Sequence, residues 1–101
     1  MSKFHAIRTI VDGITFASKK EAARYAELKL AERSGDIDSL ILQPVFPIII
    51  NDKKVAKYIA DFSYYIGQKH IIEDVKGVRT PVYKLKKKLV EAQYNIIITE
   101  T

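Results

Sequence analysis

Apolar and polar positions alternate or recur at helical spacing along the chain, and this pattern divides it into predicted strands and helices. From Ala6 to Phe16, β-forming side chains flank Asp12-Gly13, a dipeptide typical of tight hairpin turns. From Glu21 to Arg33, most residues are Ala, Leu, Glu and Lys, which favour a helix. Ser18 and Glu21 have the spacing of a capping box, and Gly35 suits the left-handed position that ends a helix. The pattern predicts a β-hairpin followed by a helix.

The middle of the chain is predicted to consist of strands. Two β-rich runs come first, and the prolines within and between them favour a sheet edge or a bend over a central strand. A turn then leads into a long strand, which a Gly-Gln turn reverses into another. The two runs are Ile37–Gln43 and Val45–Ile50, the prolines are Pro44 and Pro47, and the turn after them is Asn51–Lys54. The long strand is Val55–Tyr65. The turn at Gly67-Gln68 leads from it into the strand His70–Lys76, which ends at Gly77.

The last part of the chain is predicted to form a second helix, Thr80–Tyr94, and a final strand, Asn95–Glu100. Helical spacing divides the helix into two faces. The apolar face carries Val82, Leu85, Leu89 and Ala92, and the polar face carries Lys84, Lys87, Lys88 and Glu91. The full order of elements predicts an α/β domain with a mixed sheet and a helix on each side.

Composition and charge narrow the class of protein. The chain has 101 residues, of which 48% are hydrophobic, and this suits one domain covering residues 1–101. No apolar run is long enough to cross a bilayer, no leader peptide is recognisable, and no glycine-rich phosphate loop is present. The absence of Cys removes disulfides and thiolate zinc sites and suits the cytoplasm. A formal charge of +5 is compatible with binding nucleic-acid phosphates.

Two of the predicted strands carry acidic residues inside apolar runs. A two-residue turn at Gly67-Gln68, with Gly first as in type II′, pairs these strands so that Asp61 lies directly opposite Asp74. Carboxylates opposed in this way lie about 5 Å apart at Cβ and repel each other, and a bound divalent cation would turn that cost into affinity. Lys76 is expected on the same face as Asp74, whereas Glu73 is expected to point to the other face.

Two carboxylates and a lysine on one patch suit phosphodiester hydrolysis. The carboxylates offer the hard oxygen ligands that Mg²⁺ prefers, and the metal activates water and polarises the phosphoryl group. The lysine is a compact charge that can steady the attacking water or the charge of the transition state. Two alternatives stay open: the same residues can form an exposed cross-strand ion pair, and a one-residue slip would set Asp61 opposite Glu73.

Asp61, followed after twelve residues by Asp74-Val75-Lys76, resembles the motif of the PD-(D/E)XK nuclease superfamily. The whole chain resembles a group of short phage and prophage proteins assigned to that superfamily. The likeness extends over several segments, with Ala60 where the motif's name has Pro, a position that varies within the superfamily. The matching segments are Val11–Phe16, Ser18–Ala22, Leu42–Pro44, Tyr58–Phe62 and Glu73–Gly77.

The resemblance implies a restriction-endonuclease-like α-β-β-β-α-β core, dependence on Mg²⁺ or Mn²⁺, and an acid on the first helix that faces the metal, usually through water. Glu21 is that acid, and its capping role with Ser18 is an equally good and compatible interpretation. Gln43 occupies a position where similar nucleases often carry a polar residue near the active site. The simpler interpretation is that Gln43 is a polar residue at the end of a strand, without a role in the site. His5 and His70 are interpreted as surface residues rather than general bases.

The functional hypothesis is therefore a Mg²⁺- or Mn²⁺-dependent DNA endonuclease, expressed from a phage or prophage in the cytoplasm of a bacterial host. Asp61, Asp74 and Glu21 are its expected metal ligands, and Lys76 completes the catalytic set. A homodimer is expected because so small a chain offers little surface to enclose DNA, and branched or junction DNA is a substrate by analogy. Contacts to the DNA backbone are expected from Arg79, Lys84, Lys87 and Lys88.

Two rival hypotheses belong to other classes of function. A DNA-binding module without catalysis would use the same basic residues. A protein-interaction factor in phage replication or packaging would instead recruit a partner through a sheet edge or exposed tyrosines. Retention of DNA without cleavage would favour the first rival, and the absence of any nucleic-acid binding would favour the second.

Overall fold

The structure of the protein is a computed structural model that describes residues 8–75 and 78–101. His5, Lys76 and Gly77, and the predicted start of the first hairpin at Ala6, lie outside the described residues. In chain order the elements are β1 (Thr9–Val11), β2 (Ile14–Phe16), α1 (Lys19–Ser34), β3 (Asp38–Leu42), β4 (Val45–Ile50), β5 (Lys53–Ile59), β6 (Phe62–Ile66), β7 (Lys69–Asp74), α2 (Pro81–Tyr94) and β8 (Ile98–Glu100).

The N-terminal hairpin and the first helix follow the prediction. Asp12 and Gly13 have φ angles of 53° and 75°, as the two central residues of a type I′ turn require. Ser18 caps α1, because its side-chain hydroxyl accepts the Glu21 N–H at 3.1 Å. Gly35 ends the helix with φ 85°, a conformation that glycine adopts without a Cβ penalty. Local turn and cap signals therefore determine both boundaries.

The central sheet has four strands in the order β3-β6-β7-β8, with β8 parallel to β7 and the other pairs antiparallel. The turn between β6 and β7 is the predicted one: Gly67 has φ 60°, and Gln68 is not among the described residues with a positive φ, as type II′ requires. Pairing runs from Ile66↔Lys69 to Phe62↔Glu73 without a shift. A mixed sheet and the register of its two central strands were thus correctly predicted.

One long strand predicted over Val55–Tyr65 is wrong, because Ala60 and Asp61 divide it into β5 and β6. The strands that pair with β5 and β6 are interrupted at the same level, where Gln43 and Pro44 separate β3 from β4. The Ala60 N–H donates to the Pro44 carbonyl at 3.1 Å, and the Gln43 N–H donates to the Asp61 carbonyl at 2.9 Å, so the two strand pairs form one bent hairpin. Proline has no N–H for a ladder, which explains why the bend occurs here.

The two helices cover opposite faces of the sheet, as predicted. On one face, α1 packs through Tyr25 and Leu28 against Phe62 and Tyr64 of β6. On the other face, the α2 residue Val90 packs in a second cluster, whose other buried members are Ile48, Tyr58, Ala60, Ile72 and Ile98. The sheet is therefore the middle layer of a mixed α/β domain. None of the helices in the described part of the chain is long and apolar enough to span a membrane.

The apolar face of α2 that helical spacing indicated is buried only in part, since Leu89 packs against the second cluster. Val82 and Leu85 are 62% and 59% exposed, whereas Val90 is completely buried. The helix instead packs on the β4–β5 hairpin, where Gln93 Nε2 and the Tyr94 hydroxyl donate to the Pro47 carbonyl at 3.1 and 2.7 Å. This docking rotates the face that spacing alone would have buried. Asn95, predicted to begin the last strand, caps the helix with φ 54° instead.

Glu73 is fully buried and points to the α1 face, away from Asp74, as the alternation of the strand predicted. Arg24 of α1 donates to both of its oxygens, from Nε at 2.6 Å and from Nη2 at 2.9 Å. The hydroxyls of Tyr64 and Thr101 donate to it at 2.7 and 3.1 Å. Burial raises the pKa of Glu73, but these bonds and the Arg24 charge outweigh it and lower the pKa below its ordinary value. The carboxylate thus joins α1, β6, β7 and the C-terminal residue.

Arg24→Ala is expected to destabilise the domain by about 3 kcal/mol, because it leaves the Glu73 charge buried without its main partner. The free energy of unfolding in urea measures the effect. Lys29→Ala is the matched control on the same helix, since it breaks the partly exposed Lys29–Glu32 pair, which has no fully buried partner, and should cost less than about 1 kcal/mol. Equal losses for both variants would show that the Glu73 network does not stabilise the fold.

Acid should weaken the wild-type protein through Glu73. The pKa of Glu73 is lower in the folded than in the unfolded chain, so the unfolded chain takes up the proton first as the pH falls. The contribution is complete above the unfolded pKa of about 4.3 and disappears as the pH falls through the lower folded pKa. Unfolding free energies of wild type and Glu73→Gln, measured between about pH 3 and pH 7, should therefore depend less steeply on pH in the variant. Identical slopes would contradict this role.

Candidate active site

Asp61 lies in the bend between β5 and β6, and Asp74 is the last residue of β7. The β6–β7 register ends at Phe62↔Glu73, which excludes the one-residue slip; Asp61 precedes Phe62 and Asp74 follows Glu73. The Asp61 N–H donates to the Glu73 carbonyl at 3.2 Å and to Asp74 Oδ1 at 3.1 Å. The structure therefore brings these two candidate ligands together at the end of β7.

Backbone amides hold the two carboxylates in place. Asp74 is 1% exposed and accepts the Asp61 N–H, while Asp61 is half-buried and accepts the Val75 N–H at Oδ2, 2.7 Å away. Backbone N–H groups stabilise ionised carboxylates, and this offsets part of the repulsion between two neighbouring acids. Both carboxylates are thus anchored to backbone amides, and Asp74 is not part of an exposed ion pair.

Glu21 and Gln43 share a cavity with Asp61. The cavity has a volume of about 210 Å³, and its walls include the α1 residue Glu21, Gln43 at the bend and Asp61. Gln43 has φ 52°, a left-handed conformation that is costly for a residue other than Gly, Asn or Asp. Two residues of the predicted neighbourhood, distant in sequence, thus surround the first carboxylate. The capping bond at the Glu21 backbone leaves both interpretations of its side chain compatible.

A third acid, Glu100, was missed by the sequence reasoning. It is the β8 partner of Asp74, so Asp74 has Glu100 beside it on β8 and contacts the bend residue Asp61 on its other side. The Tyr83 hydroxyl donates to Glu100 at 2.6 Å, and Arg79 Nε donates at 3.0 Å. The Tyr83 hydrogen bond is the main cause that lowers the pKa of Glu100. Only the register of the parallel β8 strand could have indicated this neighbour.

The four basic residues predicted to contact DNA line one groove with a volume of about 310 Å³. They are Arg79, Lys84, Lys87 and Lys88, and the acids Glu91 and Glu100 line the same groove. Arg79 is paired with Glu100, and Lys87 Nζ lies 3.9 Å from Glu91. Tyr83 also lines this groove; burial and the hydrogen bond to Glu100 raise its pKa, and the charge of Asp74 raises it further. The basic face thus begins close to the paired carboxylates.

The remaining predicted residues do not join the site. Lys76 and His5 lie outside the described residues. His70 is exposed and stacks on Tyr65 at a ring distance of 4.5 Å. It lies near the start of β7, about 13 Å along the strand from Asp74. Its position agrees with the interpretation of a surface residue.

The donor chemistry at Asp61 and Asp74 fits a magnesium ion. Within residues 8–75 and 78–101, no three His, Cys, Asp or Glu side chains converge closely enough to hold a metal by themselves. Mg²⁺ is commonly bound by one or two carboxylates, with waters and substrate phosphates filling its other positions. Asp61, which lines the cavity, and the neighbouring Asp74 are carboxylates of this kind.

Asp74→Asn is expected to fold and to keep its stability within about 1 kcal/mol of wild type. The amide oxygen can still accept the Asp61 N–H, and the repulsion between the two acids is removed. Asp74→Ala should be less stable than Asp74→Asn, because the buried N–H of Asp61 then loses its side-chain acceptor. Urea unfolding of both variants checks this order, and unfolding of Asp74→Asn at neutral pH would contradict it.

Comparison with known proteins gives a match to one family model, described as "Protein of unknown function (DUF1064)", over residues 1–100. No curated protein and no solved structure gives a significant match. Because the match spans nearly the whole chain, both carboxylates, the bend and the basic groove all fall inside it. The protein therefore belongs to the DUF1064 family.

Proposed function

We propose that this protein is a metal-dependent DNA endonuclease of the PD-(D/E)XK type. The single observation that carries the proposal is the contact between Asp61 and Asp74, in which the Asp61 N–H donates to Asp74 Oδ1 at 3.1 Å. Two neighbouring carboxylates repel each other, so a protein that keeps them together gains most from a cation. The cavity with Glu21 and the nearby basic groove support a site for a phosphodiester.

Asp61 and Asp74 would hold Mg²⁺ or Mn²⁺, and Glu21 would contribute through a water in the shared cavity. The ion, when bound, lowers the pKa of its water and stabilises charge on the phosphoryl oxygens. The amides of Asp61 and Val75 fix the orientation of the carboxylates before the substrate arrives. Lys76, two residues beyond Asp74, would steady the attacking water or the developing phosphorane charge.

The basic groove would bind the sugar-phosphate backbone without reading bases. Arg79, Lys84, Lys87 and Lys88 all line it, and Tyr83 and Glu100 connect it with Asp74. The charge excess of +5 favours encounter with a polyanion. Backbone recognition alone suits an enzyme that selects a DNA structure rather than a sequence.

The biological setting of this nuclease would be the one that the sequence resemblance implies. The protein would be encoded by a phage or prophage and act in the cytoplasm of the bacterial host. A homodimer would present two active sites to a duplex or a branched junction. Branched DNA would be its preferred substrate, by analogy with junction-resolving members of the superfamily.

Nicking of supercoiled and four-way-junction DNA tests the activity. Wild-type protein with Mg²⁺ or Mn²⁺ should cut, and EDTA should abolish cutting. Asp74→Asn and Asp61→Asn should reduce the rate at least about 100-fold, because each removes a metal ligand. Glu73→Gln is the matched control, since Glu73 neighbours Asp74 but faces α1; any loss of rate there should parallel its loss of stability.

The other outcomes separate the rival functions. Binding of DNA without cleavage of any substrate, under all metal conditions, would contradict the nuclease proposal and favour a DNA-binding module that uses the same groove. Absence of both cleavage and binding would leave a protein-interaction role in phage replication or packaging. Cleavage that persists in both aspartate variants would place the active site elsewhere in the protein.

A further inference from the structure

Arg79 differs from the three lysines of the basic groove because a hydrogen bond holds its side chain. Its Nε donates to Glu100 Oε1 at 3.0 Å. The amino groups of the three lysines make no hydrogen bond to a described residue, and the shortest contact with an acid is that of Lys87, 3.9 Å from Glu91. Arg79 is therefore the cation of this groove whose direction is fixed within the described part of the chain.

Glu100 is held in turn by Tyr83. The Tyr83 hydroxyl donates to Glu100 Oε2 at 2.6 Å, so each carboxylate oxygen accepts one hydrogen bond. Tyr83 is itself half-buried in α2, and its ring centre lies 6.2 Å from that of Tyr58 in the second core cluster. The Tyr83 bond is the main cause that lowers the pKa of Glu100, and the carboxylate is ionised at neutral pH. These bonds form a Tyr83–Glu100–Arg79 network that connects the core with the surface.

The guanidinium of Arg79 keeps its two outer nitrogens available. Neither Nη atom makes a hydrogen bond within the described residues, because Nε alone is used for Glu100. The Arg79 side chain is 46% exposed and lines the basic groove. The N–H groups of a guanidinium form a planar fork that matches the oxygens of a phosphate. Glu100 thus anchors the inner nitrogen and leaves the outer donors for a ligand.

The Tyr83–Glu100–Arg79 network lies beside the proposed metal ligand Asp74. Glu100 is paired with Asp74 in the parallel register of β7 and β8, and neighbouring strands lie about 5 Å apart. The charge of Asp74 also reaches Tyr83, since it adds to the effects of burial and of Glu100 in raising the pKa of Tyr83. Arg79 is therefore the cation of the groove that fixed contacts connect with the neighbourhood of Asp74.

We propose that Arg79 donates both Nη groups to one phosphate of a DNA strand beside Asp74, and that Glu100 and Tyr83 are positioning residues for this guanidinium. This role rests on the proposed binding of DNA and adds to it the residue that holds the strand nearest the metal site. Glu100 puts a negative charge into the groove, which by itself weakens the attraction of a polyanion. Its benefit is a preoriented fork, because the long arginine side chain is already ordered before DNA arrives.

A second acid of the same groove, Glu91, provides a matched comparison. It makes no hydrogen bond to Arg79, and its Oε2 accepts the Ile98 N–H at 2.8 Å, a bond that a glutamine oxygen can also accept. If both acids only reduce the positive potential, removal of either charge should strengthen DNA binding. If Glu100 positions Arg79, the two substitutions should change the affinity in opposite directions.

Fluorescence anisotropy of a labelled DNA duplex, measured in EDTA so that no cleavage occurs, tests this difference. Glu91→Gln should strengthen binding about threefold at low salt, because one negative charge leaves the groove. Glu100→Gln removes the same charge but should weaken binding about threefold, because a neutral amide holds Arg79 less firmly. Tyr83→Phe changes no charge and should also weaken binding. Arg79→Gln should weaken it about tenfold, and Arg79→Lys, which keeps the charge without the fork, should lie between that variant and wild type.

The same substitutions in an Arg79→Gln background separate positioning from general damage to the fold. Without the guanidinium, Glu100→Gln should strengthen binding as Glu91→Gln does, and Tyr83→Phe should leave the affinity unchanged. Weaker binding that results from lost stability would persist in this background. Urea unfolding of each variant shows directly how much stability has been lost.

Nicking of supercoiled DNA with Mg²⁺, measured in parallel, separates this role from the nuclease activity. The expected opposite effects of Glu91→Gln and Glu100→Gln, without nicking by any protein, would support the network and contradict the nuclease. Nicking by wild type together with stronger binding by Glu100→Gln, or with the same effect of Glu100→Gln in both backgrounds, would overturn the network and leave the nuclease in place. Absence of DNA binding by the wild-type protein would overturn both.

Discussion

The ion pair between Arg24 and the buried carboxylate of Glu73 is the interaction on which the arrangement of this domain depends. Glu73 is completely buried in the strand at the centre of the sheet, and Arg24 reaches it from α1 with two hydrogen bonds. A buried charge tolerates only the register that provides its partners, because any slip would leave it unpaired. The pair therefore fixes α1 on the sheet and fixes the face of every residue along β7.

Alternation along β7 gives two neighbouring acids opposite roles. Glu73 faces α1 and is satisfied by Arg24 and Tyr64, whereas Asp74 faces α2 and lies beside Asp61. The contact with Arg24 neutralises the charge of Glu73, whereas the contact between Asp74 and Asp61 places two acidic residues side by side. An apolar layer separates them, since the sheet itself lies between the two faces. A carboxylate that stabilises the fold and one of the proposed metal site can thus occupy consecutive positions without competing for the same cations.

The beginning of α2 organises the positive charge of the molecule. Tyr83 divides two grooves, one lined by Arg79 and its basic neighbours and the other by Lys57 and Lys86. In the first groove, Glu100 and Glu91 moderate the charge, while the second groove has no acid among the described residues of its wall. Helix α2 contributes Lys84, Lys87 and Lys88 to the first groove and Lys86 to the second, whereas Lys57 belongs to β5. Docking of one helix thereby determines two electrostatic surfaces.

Local signals in the sequence determined the elements and the pairing of the central strands. The cap at Ser18, the left-handed Gly35 and the Gly67-Gln68 turn act through neighbouring residues, so the register that brings Asp61 beside Asp74 was predictable. Tertiary packing alone decided what depends on contacts between distant segments. These features are the bend at Gln43 and Ala60, the rotation of α2, the Arg24–Glu73 pair, and the position of Glu100 beside Asp74. Periodicity describes one element at a time. It contains no information about which other element covers a face or which residue neutralises a charge.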